Sequence, residues 1–495
     1  MEFVQLTIFL LLLCFSLAFY WLKQQQQYWS KRNVKDVPNS IFYFGRTQHL
    51  ANFLQNIYQR FKDSGEIFVG IFSMFSPTAL MIDLDLIKNV FITDFEYFPD
   101  RGFYHNLKDD PLSGNILRME GEPWKRLRAK LTSTFSSAKM KYMFNTVLNI
   151  GENFQHSMQI LLANGAAELE MRELCARYTT DVIASVAFGL DFNTLQKPQT
   201  EFRKKCDKAF NSFNLFVENV GVKYIKLFQS LHFRAFPKDV NDFFHKIVTE
   251  NIAYRENNNI KRNDFLDLLI ELRNTKLENG ENMLSIEEIV AQAFVFFIGG
   301  FETSSSTMTF CLFELSQNLE IQEIARKDVL DTLAKHNNEL TYESLKEMKY
   351  LNKVLHETLR KYPVGPTLKR MTRKDYKIPN SEHIICENTI VVIPVYAIHH
   401  DPSIYPEPDK FDPMRFSTDA VLSRHPMAYL PFGAGPRICI AQRFGIMQTS
   451  LGLAMLLKNF RFSITDETPD KLVFDKRNIR GLSVAGGIKL KVEKI

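Results

Sequence analysis

From Phe3 to Leu22 the chain carries twenty consecutive positions without a charge. A helix of that length crosses a hydrocarbon core of roughly 30 Å, so the pattern predicts one membrane-spanning segment. Beyond it, apolar positions recur at helical spacing. They predict helices at about 48–63, 84–93, 121–131, 138–163, 168–188, 200–217, 239–256, 263–274, 285–318, 320–335 and 342–361, and a last one from about Ala441 to Phe460. Strand-like runs are fewer: Phe68 to Ile82 with a turn at Ser76-Pro77, the β-branched run Thr389 to Val395, and the alternating run Gly487 to Ile495. No repeat and no Pro/Ser/Gly-rich stretch divides residues 40 to 495. The fold expected is mainly α with a small β region, one large domain at 40–495 behind an anchor at 1–22 and a polar, basic linker at 23–39.

The flanks of the first segment orient it. Only Glu2 precedes it, whereas Tyr20 and Trp21 suit an interface and Lys23, Lys31, Arg32 and Lys35 follow. The basic excess places the body in the cytosol. A cleaved signal peptide would need a basic start, a shorter apolar run and small residues at its end; here the end is Phe19-Tyr20-Trp21. An uncleaved signal anchor is the reading that fits.

Composition adds two points. Net charge is +5 over 495 residues, too small to suggest nucleic acid, and 43 Phe stand against 17 Tyr and 3 Trp. So many phenylalanines serve mostly as core, and they also permit lipophilic pockets. Six scattered cysteines, at 14, 175, 206, 311, 386 and 439, form no C-x-x-C pair. Five read as ordinary buried thiols of a reducing compartment. Cys439 differs, because a short loop, Phe432-Gly433-Ala434-Gly435-Pro436-Arg437-Ile438, leads into it and a helix follows. Unpaired N–H groups and the dipole at a helix start favour a thiolate. Nucleophile, redox thiol and metal ligand are all open to such a cysteine.

Three further constellations narrow the choice. Ser285 and Glu288 form a capping box that starts a long, deeply apolar helix, and Gly299-Gly300-Phe301-Glu302-Thr303 interrupts it. Two glycines inside a helix cost about 1 kcal/mol each relative to Ala. Either they allow a tight helix crossing, or they open a groove beside the Thr303 hydroxyl, which can bond back one turn, and the Glu302 carboxyl. Second, Glu357 and Arg360 share a helix face, and Arg415 lies in Phe411-Asp412-Pro413-Met414-Arg415-Phe416. A buried Glu with two Arg would lock distant segments together and serve structure. Third, Trp124 and Arg128 are one turn apart on one face, a donor and a cation aimed together; the alternative is a basic amphipathic helix face, with Lys125 and Arg126 on the other side.

In this order these pieces resemble the haem-thiolate monooxygenases, the cytochrome P-450 superfamily. The family loop F-x-x-G-x-R-x-C-x-G matches at Phe432, Gly435, Arg437 and Cys439, with Ala441 in place of the last glycine. The pattern A/G-G-x-D/E-T matches Gly299, Gly300, Glu302 and Thr303; E-x-x-R is Glu357 and Arg360; P-x-R-F is Pro413, Arg415 and Phe416; W-x-x-x-R is Trp124 and Arg128. Tyr405-Pro406-Glu407-Pro408, Arg443 to Gln448 and Phe301 to Ser305 are similar to insect microsomal members of the xenobiotic-metabolising type. The chain departs in its hinge after the anchor, where only Pro38 stands for the usual several prolines.

The resemblance implies a b-type haem (iron protoporphyrin IX) with Cys439 as its proximal metal ligand. It implies propionate contacts from Arg437, Trp124, Arg128 and Arg370, with Arg101 a weaker candidate, Phe432 shielding the thiolate and Gly435 shaping the loop. Catalytic proton guidance falls to Thr303 and Glu302, and the distal pocket to residues 103–117, Phe294, Phe297, Phe301, Val364 and Thr367. The implied activity is oxygen insertion into a lipophilic small molecule at the endoplasmic reticulum membrane. Electrons would come from an NADPH–cytochrome reductase, with cytochrome b5 as a second donor, docking near Lys125, Arg126, Lys130 and Arg443. No G-x-G-x-x-G follows a strand, so NADPH would be used by the partner. Hydroxylation of an endogenous hormone or lipid uses the same machinery. Histidine ligation through His399-His400, a haem-thiolate isomerase and a lipophile-binding protein are the rivals; none needs this whole motif set.

Overall fold

The computed structural model describes residues 2–37, 48–73, 76–163, 165, 167–197, 201–212, 214, 216–262, 264–276, 282–478 and 481–495. Pro38, the boundary at residue 40 and the expected helix starts at 200 and 263 lie outside the described residues. The strands are β1 (Phe68–Ser73), β2 (Ser76–Met81), β3 (Glu168–Glu170), β4 (Leu368–Met371), β5 (Tyr376–Lys377), β6 (Ile384–Ile385), β7 (Ile390–Ile393), β8 (Phe460–Ser463) and β9 (Lys489–Lys494). They form a four-stranded sheet in the order β1-β2-β7-β4, a three-stranded sheet β3-β9-β8 and the pair β5-β6. Ser73 pairs with Ser76 and Phe72 with Pro77, so the expected turn at Ser76-Pro77 is strand instead. Pro77 is tolerated in β2 because the ladder to β7 starts only at Thr78.

Helices make up most of the body. In chain order they are α1 (Glu2–Gln26), α2 (Leu50–Phe61), α3 (Leu84–Lys88), α4 (Gly121–Thr132), α5 (Ser137–Ala163), α6 (Met171–Phe188) and α7 (Glu201–Asn211). Next come α8 (Ile225–Ser230), α9 (Lys238–Asn258), α10 (Phe265–Asn274), α11 (Ile286–Gln317) and α12 (Leu319–Lys335). The rest are α13 (Tyr342–Glu347), α14 (Lys349–Lys361), α15 (Val395–His399), α16 (Thr418–Leu422) and α17 (Gln442–Asn459). α11 is the spine of the helical core, packed by α6, α9, α10, α14 and α17. Its capping box forms as expected: the Glu288 N–H donates to Ser285 Oγ at 3.1 Å and the Ser285 N–H to Glu288 Oε2 at 2.9 Å. A second apolar core lies between α2, α3 and the four-stranded sheet.

Two expected helices begin differently. Residues 168–170 pair with β9 before α6 starts, and the Glu170 carboxylate caps α6 through the Arg172 and Glu173 N–H groups. The helix expected at 342–361 breaks at Met348, because Asp328 on α12 accepts the Tyr350 and Leu351 N–H groups at 2.8 and 3.0 Å and starts α14 afresh. Of the five cysteines expected to be ordinary buried thiols, Cys175, Cys206 and Cys311 are buried, Cys386 is half-buried, and Cys14 is exposed on α1. Burial pushes the Cys175 and Cys311 thiols up to about 12.

α1 contains an apolar span, Val4–Gln26, with mean hydropathy 2.1 and no part of that window buried by the rest of the protein. The chain after it docks on β1. Trp29 is fully buried, its Nε1–H donates to the Ile71 carbonyl at 3.2 Å, and its ring lies on Gly70, where a Cβ would sit 2.2 Å from ring carbon. Lys35 and Val37 then hydrogen-bond both sides of Gly70. Gly70→Ala therefore displaces Trp29 and costs about 1–3 kcal/mol, the usual range for overpacking. Trypsin should then cut faster after Lys31 and Arg32; an unchanged cleavage rate and melting temperature would show that Trp29 does not hold this segment.

Candidate functional site

A cavity of about 600 Å³ lies between α11, α4, the β4/β7 edge and the loop before α17. The loop owes its course to local geometry. Gly433 and Gly435 have φ of +73° and +68°, a region that favours glycine. At Gly435 there is also no room for a side chain: a Cβ would lie 1.9 Å from the Phe91 carbonyl oxygen. Gly435–Arg437 then makes one 3-10 turn, and the Cys439 N–H closes the loop on the Phe432 carbonyl at 3.0 Å. Gly435 is thus a shaping residue outside the cavity wall, whereas Phe432 and Cys439 line the cavity.

The sequence argument expects a thiol poised to ionise. In the protein alone burial pushes the Cys439 thiol up, against the Ala441 N–H and the charges of Arg101 and Arg128 that pull it down. Helix α17 begins only at Gln442, three residues on. Coordination to a metal deprotonates a thiol outright, so the metal-ligand use does not depend on a thiolate formed in advance.

Arg101, Trp124, Arg128, Arg370 and Arg437 line the same cavity as Cys439. Arg437 is the best anchored: it donates to the Pro99 carbonyl at 2.7 Å, the Met119 carbonyl at 3.0 Å and Asp100 Oδ1 at 3.1 Å. Its guanidinium lies 3.6 Å from the centroid of the Trp124 ring. Burial, then the charge of Arg101, lowers Arg437 to about 9. Arg101 donates to the Arg437 carbonyl at 2.7 Å, and burial lowers it to about 10. Arg370 is 1% exposed, and its Nε–H has no acceptor. Burial, followed by repulsion from Arg101 and Arg437, holds it well below the ordinary arginine range. Buried cations that repel one another, with an orphaned N–H among them, require anions. A flat apolar ring bearing two propionates would satisfy that need, and the Cys439 sulfur lies in the same cavity; the residues present fit a haem.

α11 brings Gly299, Gly300 and Thr303 to the cavity. The Thr303 hydroxyl donates to the Gly299 carbonyl at 2.6 Å, the back-bond its position predicts. The two glycines serve different ends. A Cβ at Gly299 would meet open space, so this residue gives the groove; a Cβ at Gly300 would lie 2.4 Å from Ile183 Cδ1, so this residue permits the crossing of α11 with α6. Both readings of the pair hold, one for each glycine. Glu302 is turned from the wall toward Arg172 of α6, 3.6 Å away.

Part of the expected pocket is placed elsewhere. Phe103, Ile116, Leu117, Val364 and Thr367 line the cavity, but Phe294, Phe297 and Phe301 do not. These three pack on the opposite side of α11, Phe294 with Phe236 and Phe244 at 4.9 Å, and Phe297 with Phe202 at 4.9 Å and Phe301 at 5.7 Å. Val295, Phe296, Gly299 and Thr303 share the cavity side, as a 3.6-residue repeat requires. Sequence reasoning also passed over Gln448, whose buried amide donates to the Gly300 carbonyl at 2.8 Å and to Ser304 Oγ, tying α17 to the groove. Its apolar surroundings on α17 carry no periodic signal that would single it out.

Behind the loop, the expected Glu/Arg lock is formed. Arg360 grips Glu357 through two bonds of 2.8 Å, both side chains wholly buried, and donates to the His399 and Pro408 carbonyls at 2.9 Å. Arg415 stands 3.5 Å from the same carboxylate. His399 has a structural role: Nδ1 meets the Arg360 carbonyl at 3.0 Å and Nε2 accepts the Leu430 N–H at 2.9 Å, which defines its neutral tautomer. Neither His399 nor His400 lines the cavity.

The family model described as Cytochrome P450 matches residues 36–492. The chain is 42% identical over 479 residues to "Probable cytochrome P450 6a13" of Drosophila melanogaster, with 95% of each chain covered. It is 42% identical over 507 residues to "Cytochrome P450 6a2" of the same organism, with 99% of each covered. It is 40% identical over 507 residues to "Cytochrome P450 6A1" of Musca domestica, with 98% of each covered.

Proposed function

This chain belongs to the cytochrome P450 family, and on that footing we propose that it inserts one atom of O2 into lipophilic foreign compounds, with electrons from an NADPH-dependent reductase. Its membership makes it a cytochrome P450 monooxygenase with a haem-thiolate cofactor, similar to insect members of the family. The observation that carries the substrate reading is the wall of the cavity: Phe103, Ile116, Phe296, Val364 and Val392 present apolar surface to the space that Cys439 faces.

When bound, the haem supplies the activation of O2 and the transfer of oxygen. Cys439 is the residue to hold the iron, and Arg101, Arg128, Arg370, Arg437 and Trp124 the residues to hold the propionates. Gly299 keeps a side-chain-free space on α11. Thr303 has its hydroxyl proton on the Gly299 carbonyl and its oxygen free to accept from a guest in the groove. By turning it can pass that proton on. Glu302, on the Arg172 side of α11, would feed protons toward it. α1 would tether the body to the endoplasmic reticulum membrane from the cytosolic side. Exposed Lys125, Arg126 and Arg443 would meet the reductase, or cytochrome b5, while Lys130 is occupied by the Met283 carbonyl.

Haem-loaded full-length protein, supplied with reductase and NADPH, should oxidise several unrelated foreign lipophiles. One endogenous steroid or lipid turned over with a far larger kcat/KM than all of them would overturn the foreign-compound reading. Thr303→Ala should leave haem content unchanged and lower product formation by up to about a hundredfold, the scale of a lost proton-transfer group, while NADPH is still consumed. Unchanged product per NADPH would remove Thr303 from the proton path.

A further inference from the structure

Polar side chains such as Asn219, Gln292 and Thr303 also line the cavity, but its charged side chains fall into two groups. One is the arginine cluster around Arg370, already assigned to the cofactor. The other is Lys369, the next residue along β4, with Arg118, and both line the cavity beside Phe103. Successive side chains on a strand point to opposite faces, and the electrostatic surroundings of the two confirm the separation. Arg370 is opposed by Arg101 and Arg437, whereas Lys369 feels Glu218 and Arg118. Lys369 is therefore not a member of the cofactor's arginine cluster.

Its own neighbourhood leaves one positive charge over. Glu218 is the nearby acid, and it is fully engaged: Oε1 pairs with Arg118 at 2.6 Å and Oε2 accepts the Tyr104 N–H at 3.2 Å. Both partners of that pair are buried, at 6% and 2% exposure. The Lys369 ammonium has no hydrogen-bond or ion-pair partner among the described residues; its contact is the face of Phe103, 5.0 Å to the ring centroid. Arg118 lies 5.5 Å from the same centroid. Burial lowers the pKa of Lys369, and only the already engaged Glu218 draws it back.

A cation in that position is served by water while the cavity is open. A neutral lipophile that fills the cavity expels the water and strands the ammonium, which costs free energy. A lipophile ending in a carboxylate replaces the water with a charge-assisted hydrogen bond. The cavity therefore discriminates by penalty as well as by attraction. We propose that Lys369 is a specificity-determining residue that selects lipophilic substrates bearing a carboxylate. The proposal rests on the reading of this cavity as the substrate site.

The test uses full-length, haem-loaded protein in detergent, with binding read from the shift of the haem absorbance band. Tetradecanoate represents a lipid acid and ibuprofen a foreign one, each titrated beside its methyl ester. The wild type should bind at least one acid more tightly than its ester. Lys369→Met should weaken that acid by about tenfold or more, the scale of one charge-assisted bond, and change the ester less than twofold. Lys369→Arg should restore the preference, and Lys369→Gln serves as a second neutral variant should the methionine protein fold poorly. The responding pair tells whether the acid comes from lipid or from foreign compounds. Equal affinity of the wild type for acid and ester in both pairs overturns the proposal, as does equal loss of both in the neutral variants. Loss of haem in those variants also overturns it, by assigning Lys369 to the cofactor. Failure of the broader reading looks different: a wild type that oxidises no lipophile at all.

Discussion

Cys439→Ser should give a folded protein that has lost the thiolate-type band of the reduced, carbon-monoxide-bound spectrum and whose monooxygenase turnover has fallen at least a thousandfold. A thousandfold is about 4 kcal/mol of barrier, the scale expected if Cys439 is the thiolate that would hold the haem iron and tune its oxygen chemistry. The substitution is informative because it changes so little else. The loop is held by the Cys439 N–H on the Phe432 carbonyl, by the positive φ of Gly433 and Gly435 and by the close approach of Gly435 to Phe91. None of these involves the sulfur, and serine has nearly the shape of cysteine. The melting temperature of the haem-free protein should therefore hardly move. Other cysteines cannot take over: Cys175, Cys206 and Cys311 are buried in the core, and neither Cys14 nor Cys386 lines the cavity. A serine variant that retains the thiolate band would remove Cys439 from the iron.

What was legible in the chain depended on how local the cause was. The capping box at Ser285 and Glu288 involves two residues one turn apart, and it stands as read. The loop around Cys439 was visible because its two glycines and proline fall within four residues. The Glu357/Arg360 pair was visible as a spacing, but what it grips was not: the His399 and Pro408 carbonyls lie 39 and 48 residues away. The break at Met348 escaped notice for the same reason, since its cause is Asp328 on another helix. The facing of α11 failed differently. From Ala293 to Ile298 the helix is apolar on every side, so periodicity gives a period without a phase. Periodicity therefore offers nothing against the pocket that the resemblance implies for Phe294, Phe297 and Phe301, which are turned away from it. The glycine pair left two readings open because both partners of the choice, Ile183 and the cavity, come from elsewhere in the chain.

Arg360→Ala should be the most damaging single change to the fold outside the cavity, with a loss of about 3–5 kcal/mol against a total stability of about 5–15 kcal/mol. Glu357 and Arg360 are each wholly buried, so removal of the guanidinium leaves a carboxylate that water cannot reach. Arg415 compensates only in part: its Nε stays 3.5 Å from Glu357, but another of its donors is held by the Glu407 carbonyl and it makes no paired bond to the carboxylate. The damage also travels. Without Arg360 the His399 carbonyl loses its donor, and His399 is the residue that holds the Leu430 N–H at the head of the cysteine loop. The expected sequence of failure is therefore a loosened loop first and unfolding next. It is measurable as a fall in bound haem per protein at a temperature where circular dichroism still reports native helix content. Arg360→Lys should rescue little, since one ammonium cannot make the paired bonds to Glu357 and also reach both carbonyls. Glu357→Gln should be milder, because it removes the charge while keeping an acceptor for Arg360 and for the Asp412 N–H. If Arg360→Ala melts within 1 kcal/mol of the wild type and keeps its haem, the lock has no hold on the loop, and the route from α14 through His399 to Leu430 is a contact without consequence.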